Sequence, residues 1–567
     1  MRVLSVNPLL LLLSIFFAMQ VLASTSPAQV DSSESNLEAV ARLRSEADQA
    51  MRQRNYELSL KKYTEAIQRG STRATVAYNA ACSAAKMARR DDAFRFLDLA
   101  VDFGWLDLEL LNQDADLESL RADPRWQQLK KDLIISIEQN NVLWKSPAFN
   151  SKYQQNLSDA EKAAGLSKLW AEVKFNFVNF DQVPTLDWDA EFVAFMPKVL
   201  KTQSTLEYYR LLEQFVAKLN DAHTNVYLPP NLSSKFNARP ALKTELIEDQ
   251  VIVTKVLDQA VKALGIEVGQ ELIAINDQPV HRYADQFVKP FVAASTPQDR
   301  ATRVYGDALL RGPVTDSVSL ELKRIDGQTF NVTVARTLGV SQIARFFSRP
   351  AAFELKMLQG NIAYVKLNSF SSSAALKQFQ SSFSKIEKAD ALILDLRSNG
   401  GGNSGVGWNI LGHLTDEPFA TTRWHMYQYR PTLRAWGRHP QVKQESAAGM
   451  FSVNREHHYD KPVAMLIGPR TFSAAEDMVV AFDILDRGPI IGQPSGGSTG
   501  QPLMFDLPGG GRARVCTKHD RYADGTKFVG VGVQPDRLVK PTVEDFRSGI
   551  DRTLETAKET LLEQIEN

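Results

Sequence analysis

Ser473 follows the apolar run Pro462-Val-Ala-Met-Leu-Ile-Gly468 and opens a helical pattern, so a strand-to-helix turn carries it. A hydroxyl at a helix start is surrounded by backbone N–H groups that can hold a developing oxyanion, as acyl transfer to a serine nucleophile requires. The same residues, Ser473-Ala-Ala-Glu476, also spell a capping box, in which the serine only satisfies orphan N–H donors. Three other segments bear on that choice. Asp395-Leu-Arg-Ser-Asn-Gly-Gly-Gly402 reads as a buried strand running into glycines, where backbone N–H groups can approach a ligand closely; a plain glycine-rich turn has the same spelling. His223, in Asp221-Ala-His-Thr224, supplies an imidazole able to accept a proton at neutral pH, although a single histidine is as readily structural. Gly492-Gln-Pro-Ser-Gly-Gly-Ser-Thr-Gly-Gln-Pro502 is a loop without the Gly-Lys-Ser/Thr of a phosphate cradle. No His/Cys/Asp cluster has metal-ligand spacing, and the adjacent His457 and His458 point different ways, so neither metal nor organic cofactor is expected.

The elements that must position these residues divide a chain of 567 residues, long enough for three or four domains. Lys plus Arg and Asp plus Glu number 66 each, so no bulk field argues for nucleic acid or an anionic membrane surface. Residues 1–23 combine one arginine, a short apolar run and small residues around Ala23-Ser24; they read as a secretory signal peptide cleaved near Ala23, leaving a periplasmic or secreted chain without stable membrane insertion. Cys82 and Cys516 fall in segments assigned to different domains and read as buried small apolar residues, a disulfide requiring that those domains touch. Residues 37–140 are helical, and Ala47, Ala50, Ser59 and Ala66 are followed 34 positions later by Ala81, Ala84, Ala93 and Ala100. That is the tetratricopeptide period, and such a unit either docks a protein partner or caps the domain behind it. Amphipathic helices fill 150–230. Residues 240–340 are strand-rich, and Gly265-Ile-Glu-Val-Gly269-Gln-Glu-Leu-Ile-Ala-Ile-Asn276 resembles the core of a PDZ domain, without the glycine-flanked loop that grips a chain end. Residues 350–540 alternate strand and helix patterns, an α/β core, and 541–567 close the chain with one amphipathic helix from about Val543 to Ile565.

Taken together, residues from about 157 to 540 resemble the carboxyl-terminal processing (tail-specific) protease family, related to the tricorn core protease. The resemblance rests on the lead-in with Leu169-Trp170, the PDZ-like insert, the Asp395 to Gly402 strand, the Thr471-Phe-Ser-Ala-Ala-Glu476 turn and Gly532-Val-Gln-Pro-Asp536. It implies an α/β multi-domain fold and hydrolysis of polypeptide substrates through an acyl-enzyme on Ser473, with the oxyanion held by the N–H groups of Ala474 and one of Gly400 to Gly402, here Gly401. Many members place a general-base lysine about twenty-five residues past the serine, but that neighbourhood here is Gly496-Gly-Ser-Thr-Gly500. The tricorn-like branch instead uses a histidine from the segment before the PDZ region, where His223 stands. Its orienting carboxylate is taken as Glu476, with Asp221 and Asp524 as alternatives; Lys518 and Lys527 are the nearest substitute bases in sequence. The rival expectation is a catalytically silent binding or scaffold protein that keeps the fold.

Overall fold

The computed structural model describes residues 36–314, 316–339, 350–453 and 458–566; the signal peptide read in residues 1–23 lies outside them. The chain divides into two compact units after Ser146. In the first, helices Asn36–Arg52, Tyr56–Gln68, Ala74–Lys86 and Arg90–Asp102 pack each on the next. The small residues that recur at the 34-residue spacing lie at those contacts: Ala47, Ala66, Ala81 and Ala100 are fully buried. The Ser59 hydroxyl, bound to Ser83 Oγ at 3.0 Å, provides a polar link in the same core. A further helix, Pro124–Trp144, closes this unit. Cys82 and Cys516 are both buried free thiols. Among the described residues no helix is long and apolar enough to cross a membrane.

The second unit is the α/β part. Its central sheet has six strands in the order Arg537–Leu538, Ile490–Gly492, Val463–Ile467, Ala391–Asp395, Ile362–Leu367, Phe353–Leu358. All are parallel except Phe353–Leu358, which returns antiparallel along Ile362–Leu367. Val463–Ile467 and Ala391–Asp395 are buried at every residue, as continuous apolar strands covered on both faces must be. Helix Ala474–Ile484 packs on one face through Met478, Val479 and Phe482, and the C-terminal helix covers the other through Ala557 and Leu561. That C-terminal segment is two helices, Val543–Arg547 and Arg552–Glu566, rather than one. The break falls at Gly549, whose φ of +71° leaves the helical region, a conformation that the apolar pattern does not register.

Residues Leu242–Ile247, Gln250–Val256, Glu271–Ile275, Ser317–Lys323 and Thr329–Ala335 form a separate antiparallel sheet with its own core. The helices Asp159–Asn176, Trp188–Leu200 and Thr205–Ala217 bury their apolar faces against the hairpin Pro502–Leu507/Gly511–Cys516, with Leu169, Leu212, Phe215, Ala513 and Val515 in one cluster. After the last of these helices the chain turns through Asn220, at φ +49°, into the short strand Asn225–Tyr227, which pairs with Arg512–Arg514. This register places His223 beside the carboxyl ends of the central strands.

Candidate active site

Ligand sites in parallel sheets form beyond the carboxyl ends of the strands, and three loops leave neighbouring strands here at that end. They are stitched together by backbone hydrogen bonds: Phe472 N–H to Asn399 O at 3.0 Å, Gly496 N–H to Thr471 O at 2.9 Å and Ser473 N–H to Ser498 O at 3.0 Å. The Thr471 hydroxyl donates to Leu396 O at 2.9 Å and anchors the turn to the glycine strand.

Ser473 is the N-cap of helix Ala474–Ile484 and completes a capping box with Glu476, yet its backbone sits at φ 57°, ψ −129°. A non-glycine residue there costs about 1–3 kcal/mol and persists only where surrounding bonds over-determine it. Those bonds include the Ser473 N–H shared between Ser498 O and Glu476 Oε2, each at 3.0 Å. The strained turn aims Oγ at His223, whose Nε2 lies 3.2 Å away.

His223 is buried, and its ring stacks on Phe472 at 4.7 Å and 13°. Nδ1 lies 2.7 Å from Ser498 Oγ. With Nε2 accepting from Ser473, Nδ1 carries the ring proton and Ser498 accepts it. Burial holds the imidazole well below its ordinary pKa, and the guanidiniums of Arg514 and Arg303 and the ammonium of Lys518 push the same way. The ring is therefore neutral at pH 7, the form a general base needs.

None of the three sequence-derived carboxylates reaches His223 Nδ1, whose partner is Ser498. Glu476 is fully buried and accepts four hydrogen bonds, from Ser495 Oγ (2.5 Å), Gly497 N (2.7 Å), Ser498 N (3.0 Å) and Ser473 N (3.0 Å). Burial pushes its carboxyl up to about 7 against those donors. It thus fixes the loop that presents Ser498 and acts on His223 at one remove. Asp221 faces away from the ring edge, accepting the His223 backbone N–H, Thr224 Oγ1 and Asn179 Nδ2 at 2.9, 2.9 and 2.8 Å. Asp524 is exposed and bonded to Thr526. Of the substitute bases, Lys518 is paired with Asp520 at 2.8 Å and exposed Lys527 lies 3.4 Å from Asp181. Ser498 was not singled out from sequence, although it stands in the lysine-free loop Gly496-Gly-Ser-Thr-Gly500.

On the oxyanion side, Gly401 sits at φ +92°, and a Cβ added there would lie 2.6 Å from Phe472 O, 2.7 Å from Ser473 Cβ and 2.9 Å from Ala474 N. Only glycine lets the two loops approach so closely. The Gly401 N–H itself donates to Asn399 Oδ1 at 2.9 Å. The N–H groups of Ala474, Gly400 and Gly402 have no acceptor among the described residues, so the donors open to a substrate oxygen are Ala474 and the glycines flanking Gly401.

Residues 361–539 match the model of peptidase family S41. Among curated relatives, this chain is similar to the carboxyl-terminal-processing protease of Synechocystis sp., 26% identical over 247 residues that cover 42% of this chain and 51% of the relative. The carboxy-terminal processing protease CtpA of Bacillus subtilis is 24% identical over 243 residues, 42% of this chain and 46% of that protein. The match thus spans about half the length of these relatives. Among solved structures, mature CPAF complexed with lactacystin superposes with a TM-score of 0.58 at 16% identity, covering 72% of this chain and 99% of that one. The fold of the matched region and its flanking elements is shared with that structure.

Proposed function

We propose that this chain is a serine peptidase that cleaves polypeptides through an acyl-enzyme on Ser473, with His223 as general base. The observation that carries the reading is the 3.2 Å contact between Ser473 Oγ and the Nε2 of a buried, neutral His223, on a turn whose Ala474 N–H is open. A helix cap does not require an imidazole on its hydroxyl, nor the strained backbone that turns it there.

In this mechanism His223 Nε2 takes the Ser473 proton as Oγ bonds to the scissile carbonyl carbon. The carbonyl oxygen becomes an oxyanion held by the Ala474 N–H and an N–H of the glycine loop, a contribution of about 10²–10³ in rate per donor in comparable sites. The imidazolium keeps its Nδ1–H on Ser498 Oγ. It then gives the Nε2 proton to the leaving amine as the C–N bond breaks, and a water activated by the same nitrogen hydrolyses the ester. No step uses a metal or organic cofactor. The leader pattern in residues 1–23 favours an extracytoplasmic site of action.

Hydrolysis of an unfolded protein by wild type, Ser473→Ala and Ser473→Asp tests the reading. A mere cap loses about 0.5–2 kcal/mol of stability on change to Ala and little on change to Asp, whereas a nucleophile loses activity in both. Retained activity in Ser473→Asp would remove Ser473 from the chemistry.

A further inference from the structure

A cleft of about 680 Å³ in the second unit opens beside His223 and takes no part in the mechanism above. One wall is the strand Asn225–Tyr227, which begins two residues after His223 and stands at the end of its three-stranded sheet, paired on one side only. An unpaired strand edge is a template for an extended peptide. The lining also includes Arg303 and Asp307, carried on a π-helical segment, Thr302–Ala308. Such segments are rare and concentrate at functional sites.

The charges in this cleft do not balance. Its lining holds three guanidiniums, Arg303, Arg311 and Arg514, against two carboxylates, Glu213 and Asp307. Both carboxylates are already engaged from outside the lining: Glu213 by Arg210 at 2.5 Å, and Asp307 through both oxygens by Arg470 at 3.0 and 3.3 Å. Arg303 pairs with Asp299 at 2.6 Å. Arg311 donates to the Asp307 carbonyl, and Arg514 to Asn225 Oδ1 and Ala222 O. Among the described residues no carboxylate lies at ion-pair distance from Arg311 or Arg514. Arg311 is solvent-exposed yet walled by protein on most sides, as a group on a cleft floor is. Burial weakens the proton affinity of both Arg311 and Arg514; Asp307 and Glu213 partly offset this at Arg311 and Tyr227 at Arg514, while Arg303 repels both, and a bound anion opposes that repulsion.

We infer that this cleft is a substrate subsite for a carboxylate, carried by an extended peptide laid along the Asn225–Tyr227 edge. The inference rests on the peptidase reading for the identity of its ligand. Arg514 and Arg303 also lower the basicity of His223, so a carboxylate between them assists proton transfer as well as binding.

The test uses a peptide series with one Glu walked across the positions on each side of a cleaved bond, each paired with its Gln counterpart, and each with a free-acid or amidated C-terminus. Binding is read by anisotropy on Ser473→Ala protein and hydrolysis as kcat/KM on wild type. The expected result is a preference of about tenfold or more for the carboxylate member at one position, shrinking with added salt and in Arg311→Gln but kept in Arg311→Lys. A Glu/Gln difference identifies a side-chain carboxylate and an acid/amide difference a chain end. Pairs that bind and are cleaved within twofold of each other at every position overturn the inference, whether or not Arg311→Gln folds. Carboxylate-selective binding without any hydrolysis keeps the subsite and overturns the peptidase reading instead.

Discussion

Replacing Ser498 with Ala removes the one polar partner that His223 Nδ1 has among the described residues, at 2.7 Å, while leaving in place the loop's backbone bonds to Glu476 and Ser473. In the resting enzyme that bond joins neutral groups and is worth about 0.5–1.5 kcal/mol; once the ring is an imidazolium it is charge-assisted and worth about 1.5–3 kcal/mol. Only the difference acts on the chemical step. It amounts to about 1–2 kcal/mol, or roughly 5–30-fold in kcat, and freer rotation of the ring about its stack on Phe472 adds to the loss. The expected deficit stays well short of the roughly 10⁴-fold that follows loss of charge and tautomer control by a triad carboxylate. The assay is steady-state hydrolysis of an unfolded protein across pH, with thermal unfolding in parallel. Without an acceptor for Nδ1–H the imidazolium is less stable, so the acid limb of kcat also moves to lower pH, a shift that a purely structural role does not produce. Hydrolysis within twofold of wild type with an unmoved limb would refute the role assigned to Ser498.

The acid limb that belongs to His223 should lie below 6.5, because burial and three cations depress its pKa, and so beneath any limb near 7 from Glu476, whose carboxyl burial raises to about 7; a His223 limb at or above 6.5, read from kcat/KM against pH, contradicts that environment. The sign for stability is fixed by the same shift. His223, His519 (lowered to about 3) and His425 (lowered to about 4) are neutral when folded, so their contribution is intact above about 6.5 and is lost as pH falls below it, measurable as a declining Tm. Gly401→Ala drives a Cβ to within 2.6 Å of Phe472 O and should lower kcat by about 10²–10³ through displacement of the Ala474 donor; unchanged turnover means that the two loops do not act together. Glu476→Gln sets an amide NH2 against donors that all point at this side chain, with an expected loss of about 2–5 kcal/mol in unfolding free energy and lower activity; a Tm equal to wild type contradicts the four-bond assignment.

The nucleophile turn and the glycine strand were legible because both are local: an apolar strand, a turn and a helix start are adjacent in sequence, and backbone geometry fixes where Ser473 and the glycines stand. His223 was reachable only by its position in an ordered set of motifs, since 250 residues separate it from Ser473. The partner of Nδ1 was not legible. A search for acids next to a base passes over a hydroxyl, and Ser498 reaches the ring only because the loop after Ile490–Gly492 folds back over the Ser473 turn. Glu476 was read at the right place with the wrong contact: one helical turn brings it to the site, but its oxygens are taken by backbone donors of that returning loop. The oxyanion donors show the same limit. Gly401 is the point of closest approach, yet Asn399 two residues earlier occupies its N–H, and spacing alone cannot say which peptide of a glycine run faces the site.

The most direct test of the central claim is reaction of the folded protein with a serine-directed fluorophosphonate, followed by intact-mass analysis and mapping of the adduct. A neutral imidazole on Ser473 Oγ makes this hydroxyl the reactive one, so a single adduct on Ser473 is expected, absent from Ser473→Ala and formed at least about a hundredfold more slowly in His223→Ala. An adduct at another residue, or labelling of His223→Ala at the wild-type rate, would contradict the account, and so would the absence of any adduct on the folded wild-type protein.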